Sequence, residues 1–343
     1  MVTVTSTPAP YDKSATTQPL LQVRDLSVDF VTGKTRASAL RGVNLSVAAG
    51  ETLAVMGESG SGKSVTAQAI MGILDTPPAR ITSGQVWFQG QDLLTMPEEQ
   101  RRRLRGAEIA IAFQDSLSAL NPVMKVGDQI VEALRTHLDI SRRDARTRAR
   151  ELLERVAIPA AAQRIDEYPH QFSGGMRQRC MIALALALSP SLLIADEPTT
   201  ALDVTVQADI LRLLREMKEE TGMSMLLITH DVGVVAETAD RVAVMYHGRV
   251  VEHGSVVDVL TRPAHAYTRA LLSSVPRLDA PAHRLPAIPG TPPSLLTPIT
   301  GCPFRPRCGF ASPECAVSEP DLVEVMPDRQ AACHHTQEVI EDD

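Results

Sequence analysis

The sequence predicts an α/β protein in which a parallel sheet is covered by helices. Three observations carry this. Short apolar runs of strand type, ETLAVM, EIAIAFQ, SLLIADE and SMLLITH, alternate with helical stretches such as VTAQAIMGIL and VQADILRLLREMKEE. The segment Gly57–Ser64 reads GESGSGKS, fits the phosphate-loop pattern G-x-x-x-x-G-K-[ST], and lies between one such strand and one such helix. Further along, the run LLIADE ends a buried strand on two adjacent carboxylates, Asp196 and Glu197.

In chain order, residues 1–19 are rich in Thr, Ser and Pro and are expected to form a disordered leader. They carry neither a basic head nor an apolar run, so no signal peptide is expected. From Leu20 the pattern turns to short apolar strands punctuated by turns: LLQVRDLSVDF, ALRGVNLSV and ETLAVMG. Between about residues 98 and 165 it is helical, with charged periodic segments such as SRRDARTRARELLERV. Strand-like runs then return. After about residue 263 the composition shifts to proline and loops (PAIPGTPPSLLTPITGCPF), which predicts a separate small module. A chain of 343 residues has room for two or so domains. The expected division is a leader at 1–19, a nucleotide-binding domain at 20–265 with its helical part at about 98–180, and a C-terminal module at 266–343.

Composition excludes some functions. A net charge of −7 and 3% aromatic residues argue against a nucleic-acid binder. The most apolar segment, Met181–Ala195, is broken by Ser189-Pro190 and is too short to span a bilayer. A cytosolic chain is expected, with any membrane contact made through partners.

The motifs supply the chemistry. Gly57, Gly60 and Gly62 let backbone N–H groups turn inward around phosphate oxygens, with Glu58, Ser59 and Ser61 between them. Lys63 reaches the terminal phosphates, and the Ser64 hydroxyl ligates Mg²⁺. Asp196 is placed to hold the Mg²⁺ shell through water, and Glu197 to polarise an attacking water. Phe172–Met176 reads FSGGM and opens the helical run RQRCMIALALAL, so Ser173, Gly174 and Gly175 can donate to a γ-phosphate from a helix N-terminus.

With these residues in this order the chain resembles the ATP-binding cassette (ABC) family, whose signature LSGGQ is matched in its SGG centre and departs at Phe172 and Met176. The resemblance implies a phosphate-loop core with a parallel sheet, an antiparallel β subdomain and a helical signature subdomain. It also implies roles for single residues. Gln114 is the Q-loop glutamine, contacting Mg²⁺ and the transporter interface; Ala201-Leu202-Asp203 is the D-loop. His230 is the switch histidine on the γ-phosphate, and Phe30 the aromatic that stacks on adenine. In this family a complete site needs two cassettes head to tail, and the chain carries one phosphate loop and one signature. The stretches FQDSLSALNP, YPHQFSGGMRQR, IADEPTTALDVTVQ, ITHDVGVVAETADRV and the tail HAYTRALLSSVPRLD…GCPFRPRC are similar to the ATPase subunits of bacterial dipeptide, oligopeptide and nickel importers. That likeness implies ATP and Mg²⁺ as ligands and a second, paralogous ATPase subunit as partner. It further implies two membrane permeases, an extracytoplasmic binding protein, and a place on the cytoplasmic face of the membrane. Nickel or another small solute as cargo, or a soluble ABC ATPase outside transport, are the other readings.

Four of the five cysteines, Cys302, Cys308, Cys315 and Cys333, lie in the tail with spacing C-x5-C-x6-C-x17-C, while Cys180 lies apart on the post-signature helix and is expected in the core. A reducing compartment disfavours disulfides. Four thiolates suit zinc or an iron–sulfur cluster. The absence of tight C-x2–4-C knuckles, together with the likeness to the importer tail, leads to the expectation of a [4Fe–4S] cluster, with Zn²⁺ as the alternative. His334 and His335 are expected at the surface.

Overall fold

The computed structural model describes residues 18–115, 119–200, 202–274, 288–296 and 299–342. Residues 1–17 of the expected leader lie outside these, as does Ala201 of the D-loop. The strands are, in chain order, β1 (Leu21–Thr32), β2 (Thr35–Val47), β3 (Thr52–Met56), β4 (Ala79–Phe88), β5 (Gln91–Asp92), β6 (Ile109–Ala112), β7 (Leu192–Asp196), β8 (Ser224–Thr229), β9 (Arg241–Tyr246), β10 (Arg249–Ser255), β11 (Val323–Met326) and β12 (Arg329–Ala331).

They form two sheets. One is antiparallel, in the order β2-β1-β4-β5. The other runs β11-β12-β10-β9-β3-β8-β7-β6, and its β9-β3-β8-β7-β6 half is parallel. The parallel strands are buried on both faces, which is why they read as unbroken apolar runs rather than alternating ones. In β3, Leu53 and Val55 pack towards the antiparallel sheet and the helix Lys63–Met71, while Ala54 and Met56 pack into a core on the opposite face.

A helical layer built from Val126–His137, Arg142–Arg155 and Gly174–Ala185 shares its core with β6, β7 and β8. The arginine-rich helix Arg142–Arg155 buries Ala145, Ala149 and Leu153, spaced one turn apart, and turns its charges outward. Its start is fixed by Ser141, whose Oγ accepts the Asp144 N–H at 3.1 Å. Asp203 does the same for Val204–Thr221, accepting the Val206 N–H at 2.9 Å. Cys180 is fully buried in this layer, as expected. No helix among the described residues is long and apolar enough to cross a membrane.

The chain after residue 266 differs from the separate module the composition suggests, because it shares the core of the cassette. The hairpin β11–β12 extends the main sheet through β10. Phe304 packs against Tyr246 and Tyr267, with ring centroids 5.4 Å from each. Glu319 pairs with Arg41 of β2 at 2.8 Å and with Arg249 of β10 at 3.2 Å, so it ties both sheets to the tail. Composition could not reveal this, because the apolar residues that bind the tail are few and scattered among prolines.

The deepest of these ties is an ion pair. Glu252 and Arg329 are 0% and 1% exposed in their side chains and meet at 2.8 Å. The Ala264 and His265 N–H groups donate to the same carboxylate at 2.8 and 3.0 Å. Burial pushes the Glu252 carboxyl up, and Arg329 with its backbone donors pulls it back. Replacing one partner strands the other in the interior. Arg329→Met is expected to destabilise the fold by about 3–5 kcal/mol. Adding Glu252→Gln should recover part of that loss, as read by thermal unfolding of both variants.

Candidate active site

The phosphate loop connects β3 to the helix Lys63–Met71. Two of its glycines are obligatory on steric grounds. A Cβ on Gly57 would stand 2.2 Å from the Met245 carbonyl oxygen, and one on Gly62 would stand 2.8 Å from Leu40 and 2.9 Å from the Ala39 carbonyl oxygen. Both have positive φ, +151° and +108°. Lys63 folds back over the loop, its Nζ donating to the carbonyls of Gly57 at 2.8 Å and Glu58 at 3.1 Å. Burial pulls the Lys63 ammonium below its ordinary pKa, while Glu197, Asp196 and Glu58 hold it up. The Ser61 hydroxyl is buried without a protein partner among the described residues.

The strand ends bring the remaining groups alongside. Ser64 Oγ donates to Asp196 Oδ1 at 3.1 Å. Burial raises the Asp196 carboxyl, with Glu197 adding to the rise and Ser64 and Lys63 opposing it. Glu197 has φ +47°, rare for a residue with a side chain, and its N–H is held by the Ile228 carbonyl at 2.8 Å. Its Oε2 accepts from Gln114 Nε2 at 2.9 Å and from Thr200 Oγ1 at 2.8 Å, and His230 Nδ1 lies 3.4 Å from Oε1. The carboxylate is therefore aimed and held by three side chains. A cavity of about 1080 Å³ lies over these groups. Phe30, Gly57, Glu58, Ser59, Gly60, Gly62, Lys63, Ser64, Gln114, Glu197 and His230 all line it.

Ser173, Gly174, Gly175 and Asp203 are not among its lining residues. Ser173 is exposed and caps its own helix by accepting the Met176 N–H at 3.3 Å. A Cβ on Gly175 would come 2.7 Å from Val206, so the signature turn sits hard against the helix Val204–Thr221.

The comparisons agree with this geometry. The ABC transporter family matches residues 40–200, and the oligopeptide/dipeptide transporter C-terminal region matches residues 251–315. The chain is 51% identical, over 94% of its length and 96% of the relative, to a probable peptide ABC transporter ATP-binding protein, y4tR, of Sinorhizobium fredii. This chain belongs to the ABC transporter ATP-binding proteins. The cassette is also 50% identical to the oligopeptide transport ATP-binding protein OppD of Bacillus subtilis, over 89% of this chain and 86% of that one. To OppD of Escherichia coli it is 49% identical over 92% of each. Among solved structures it resembles the dimeric ATP-binding cassette MJ0796 in a post-hydrolysis state with ADP and Pi. That match has a TM-score of 0.62 and 29% identity over 69% of this chain and 98% of that one. It also resembles cbiO1 of Clostridium perfringens, with a TM-score of 0.59 and 30% identity over 70% and 90% of the two chains. As a member of this family the cassette is an ATPase that uses ATP with Mg²⁺.

The metal expectation for the tail fares differently. Among the described residues no group of three or more His, Cys, Asp or Glu side chains is arranged to hold a metal ion. Neither the [4Fe–4S] cluster nor zinc therefore finds a preformed ion site. The four tail cysteines are free thiols that gather within electrostatic reach of one another. His334 and His335 contact Glu314 and Glu338 at 3.4 and 3.2 Å.

Sequence patterns missed the far wall of the cavity. Leu271, Ile288, Pro292, Leu295 and Arg307 line it from the tail, and Thr200 lines it beside Glu197. Thr200, three residues after Glu197 in the run DEPTT, had a local signal. The tail residues had none.

The packing of the loop glycines yields a test. Gly57→Ala should weaken Mg·ATP binding by more than about tenfold, because the loop must shift to clear the Met245 carbonyl. Gly60→Ala meets nothing within 4 Å and carries only the positive-φ penalty, on the order of 1 kcal/mol. Nucleotide titration of the two variants should separate them clearly.

Proposed function

We propose that the cassette is the ATP-hydrolysing subunit of an importer of di- and oligopeptides, working on the cytoplasmic face of the membrane. Its partners in this reading are two permease subunits, an extracytoplasmic binding protein and a second cassette. Support comes from relatives named as peptide and oligopeptide transport proteins along nearly the whole chain. The observation that carries the chemistry is the convergence of Gln114, Glu197 and His230 over the phosphate loop.

In this reading the loop from Gly57 to Ser64 binds the triphosphate, Phe30 stacks on the base, and Lys63 exchanges its loop carbonyls for phosphate oxygens. Ser64, Asp196 and Gln114 would hold Mg²⁺, which when bound neutralises charge on the β- and γ-phosphates. Glu197 polarises the attacking water, with His230 beside it facing the γ-phosphate. Ser173, Gly174 and Gly175, outside their own chain's cavity, serve the nucleotide of the partner cassette, with Asp203 at the same junction. The dimeric MJ0796 cassette with ADP and Pi offers a parallel for that pairing. We favour a paralogous cassette over a second copy as the partner; native mass spectrometry showing two copies of this chain and no other cassette would reject that choice. The domain division that fits these roles is a leader at 1–19, an ABC ATPase domain at 20–265 and a C-terminal extension at 266–343.

We further propose that Cys302, Cys308, Cys315 and Cys333 hold a [4Fe–4S] cluster. The donor set supports this. Backbone N–H groups of Phe304 and Arg305 reach Cys302, and that of Phe310 reaches Cys308. The N–H of Ser312 reaches Cys315, and those of His335 and Ala266 reach Cys333. Such donors stabilise thiolates around a cluster. Without a metal, burial raises three of the thiols, Cys308 to about 11, whereas Ser312 and His335 hold Cys315 below its ordinary value. A cluster, when bound, would supply the positive charge that four neighbouring thiolates need. Anaerobically purified protein should be brown with about four irons per chain. Colourless protein with stoichiometric zinc would replace iron with zinc.

Glu197→Gln tests the catalytic assignment. It should leave ATP binding intact and lower turnover of the assembled complex by at least about a hundredfold. Near-normal steady-state hydrolysis would remove Glu197 from that role.

A further inference from the structure

The phosphate loop of this cassette is gripped by its own tail. Arg307 stands in the 3-10 turn Arg305–Arg307, directly before Cys308, and its side chain is 3% exposed. Its guanidinium forks onto Glu58, the second residue of the phosphate loop, at 2.6 Å (Nη1 to Oε2) and 2.8 Å (Nη2 to Oε1). The two residues are 249 positions apart in the chain. Two further donors of the fork are occupied. Nε donates to the Pro289 carbonyl at 2.9 Å, and Nη1 also reaches the Tyr246 hydroxyl at 3.3 Å. The guanidinium carbon lies 5.9 Å from the Tyr246 ring centre and 5.8 Å from that of Phe304. A second grip acts on the backbone of the same residue, where the Glu58 N–H donates to the Tyr267 hydroxyl at 2.7 Å.

We infer that Arg307 is a positioning residue of the ATP site, holding Glu58 and cancelling its charge beside the polyphosphate. The inference rests on the reading of the cavity as the ATP site. Glu58 and Arg307 both line that cavity, and Glu58 lies close enough to Lys63 to act on its charge. An unpaired carboxylate there would oppose a bound triphosphate. A bidentate arginine fixes both the charge and the direction of the carboxylate, which a flexible lysine would not. Four of the five N–H donors of the fork are taken by Glu58, Pro289 and Tyr246, so Arg307 is committed to the loop and acts on the nucleotide through it. Its anchorage lies in the cysteine segment, because Cys302 and Cys308 bracket the turn that carries Phe304 and Arg307.

The test uses the full chain in its reconstituted complex, with Mg·ATP as the probe. Arg307→Met should raise KM for ATP about tenfold while kcat stays within about twofold, since Glu197, Gln114 and His230 are untouched. The double variant Arg307→Met with Glu58→Gln should return KM to within about threefold of the wild type, because the stranded carboxylate is gone. Arg307→Lys, which keeps the charge and loses the fork, should fall between. A tail that merely loosened would not be rescued by neutralising Glu58. An unchanged KM in Arg307→Met, or a double variant no better than the single, overturns the inference. If Arg307→Met fails to fold, the lysine and double variants decide in the same way. A wild-type chain that binds no nucleotide would instead defeat the reading of the cavity itself.

Discussion

The register of the parallel strands is the constraint on which the site depends. Met56 of β3 is level with Thr229 of β8, Ile228 of β8 with Asp196 of β7, and Ala195 of β7 with Ala112 of β6. The residues just beyond those ends, Gly57, His230, Glu197 and Gln114, consequently stand in one row along the carboxyl edge of the sheet. Ligands of open α/β sheets bind at that edge. A slip of one residue between β7 and β8 would turn Asp196 to the face opposite its present one and separate it from Ser64. Dense apolar packing on both faces of β3, β7 and β8 forbids such a slip. The chemistry of the edge is thus secured by the hydrophobic cores beneath it.

Much of this edge was legible in the sequence because its signals are local. A glycine pattern between a strand and a helix, or a carboxylate pair ending an apolar run, is written in fewer than ten consecutive residues. Glu197 follows from the strand end it closes, whereas the roles of Gln114 and His230 rest on the family resemblance, and the structure brings both side chains to the Glu197 carboxylate. The left-handed backbone at Glu197 left no trace in the sequence, since nothing about an Asp-Glu pair announces a positive φ.

The tail was the harder text. A lone arginine among prolines has no periodicity, and its partner Glu58 is separated from it by most of the chain. The same holds for Tyr267, Phe304 and Arg329, whose importance is contained in what they touch and not in their neighbours. The cysteines illustrate the opposite case. Their clustering in sequence was obvious, but spacing could not say whether the fold arranges three or more of them around an ion, and among the described residues it does not do so in advance of binding. Where a segment owes its fold to distant contacts, composition reports only that it lacks a core of its own.

Glu319 gives the tail a mechanical meaning. With Arg41 on one sheet and Arg249 on the other, this single carboxylate pins the two sheets to each other through the tail. The pair Arg307–Glu58 and the pair Arg329–Glu252 add two more fastenings. Through them the tail is joined to the antiparallel sheet and to the phosphate loop. The helical layer from Val126 to Ala185 touches none of these fastenings. That layer is joined to the sheet instead through the apolar core it shares with β6, β7 and β8, so the tail braces the phosphate loop directly and the helices only by way of the sheet.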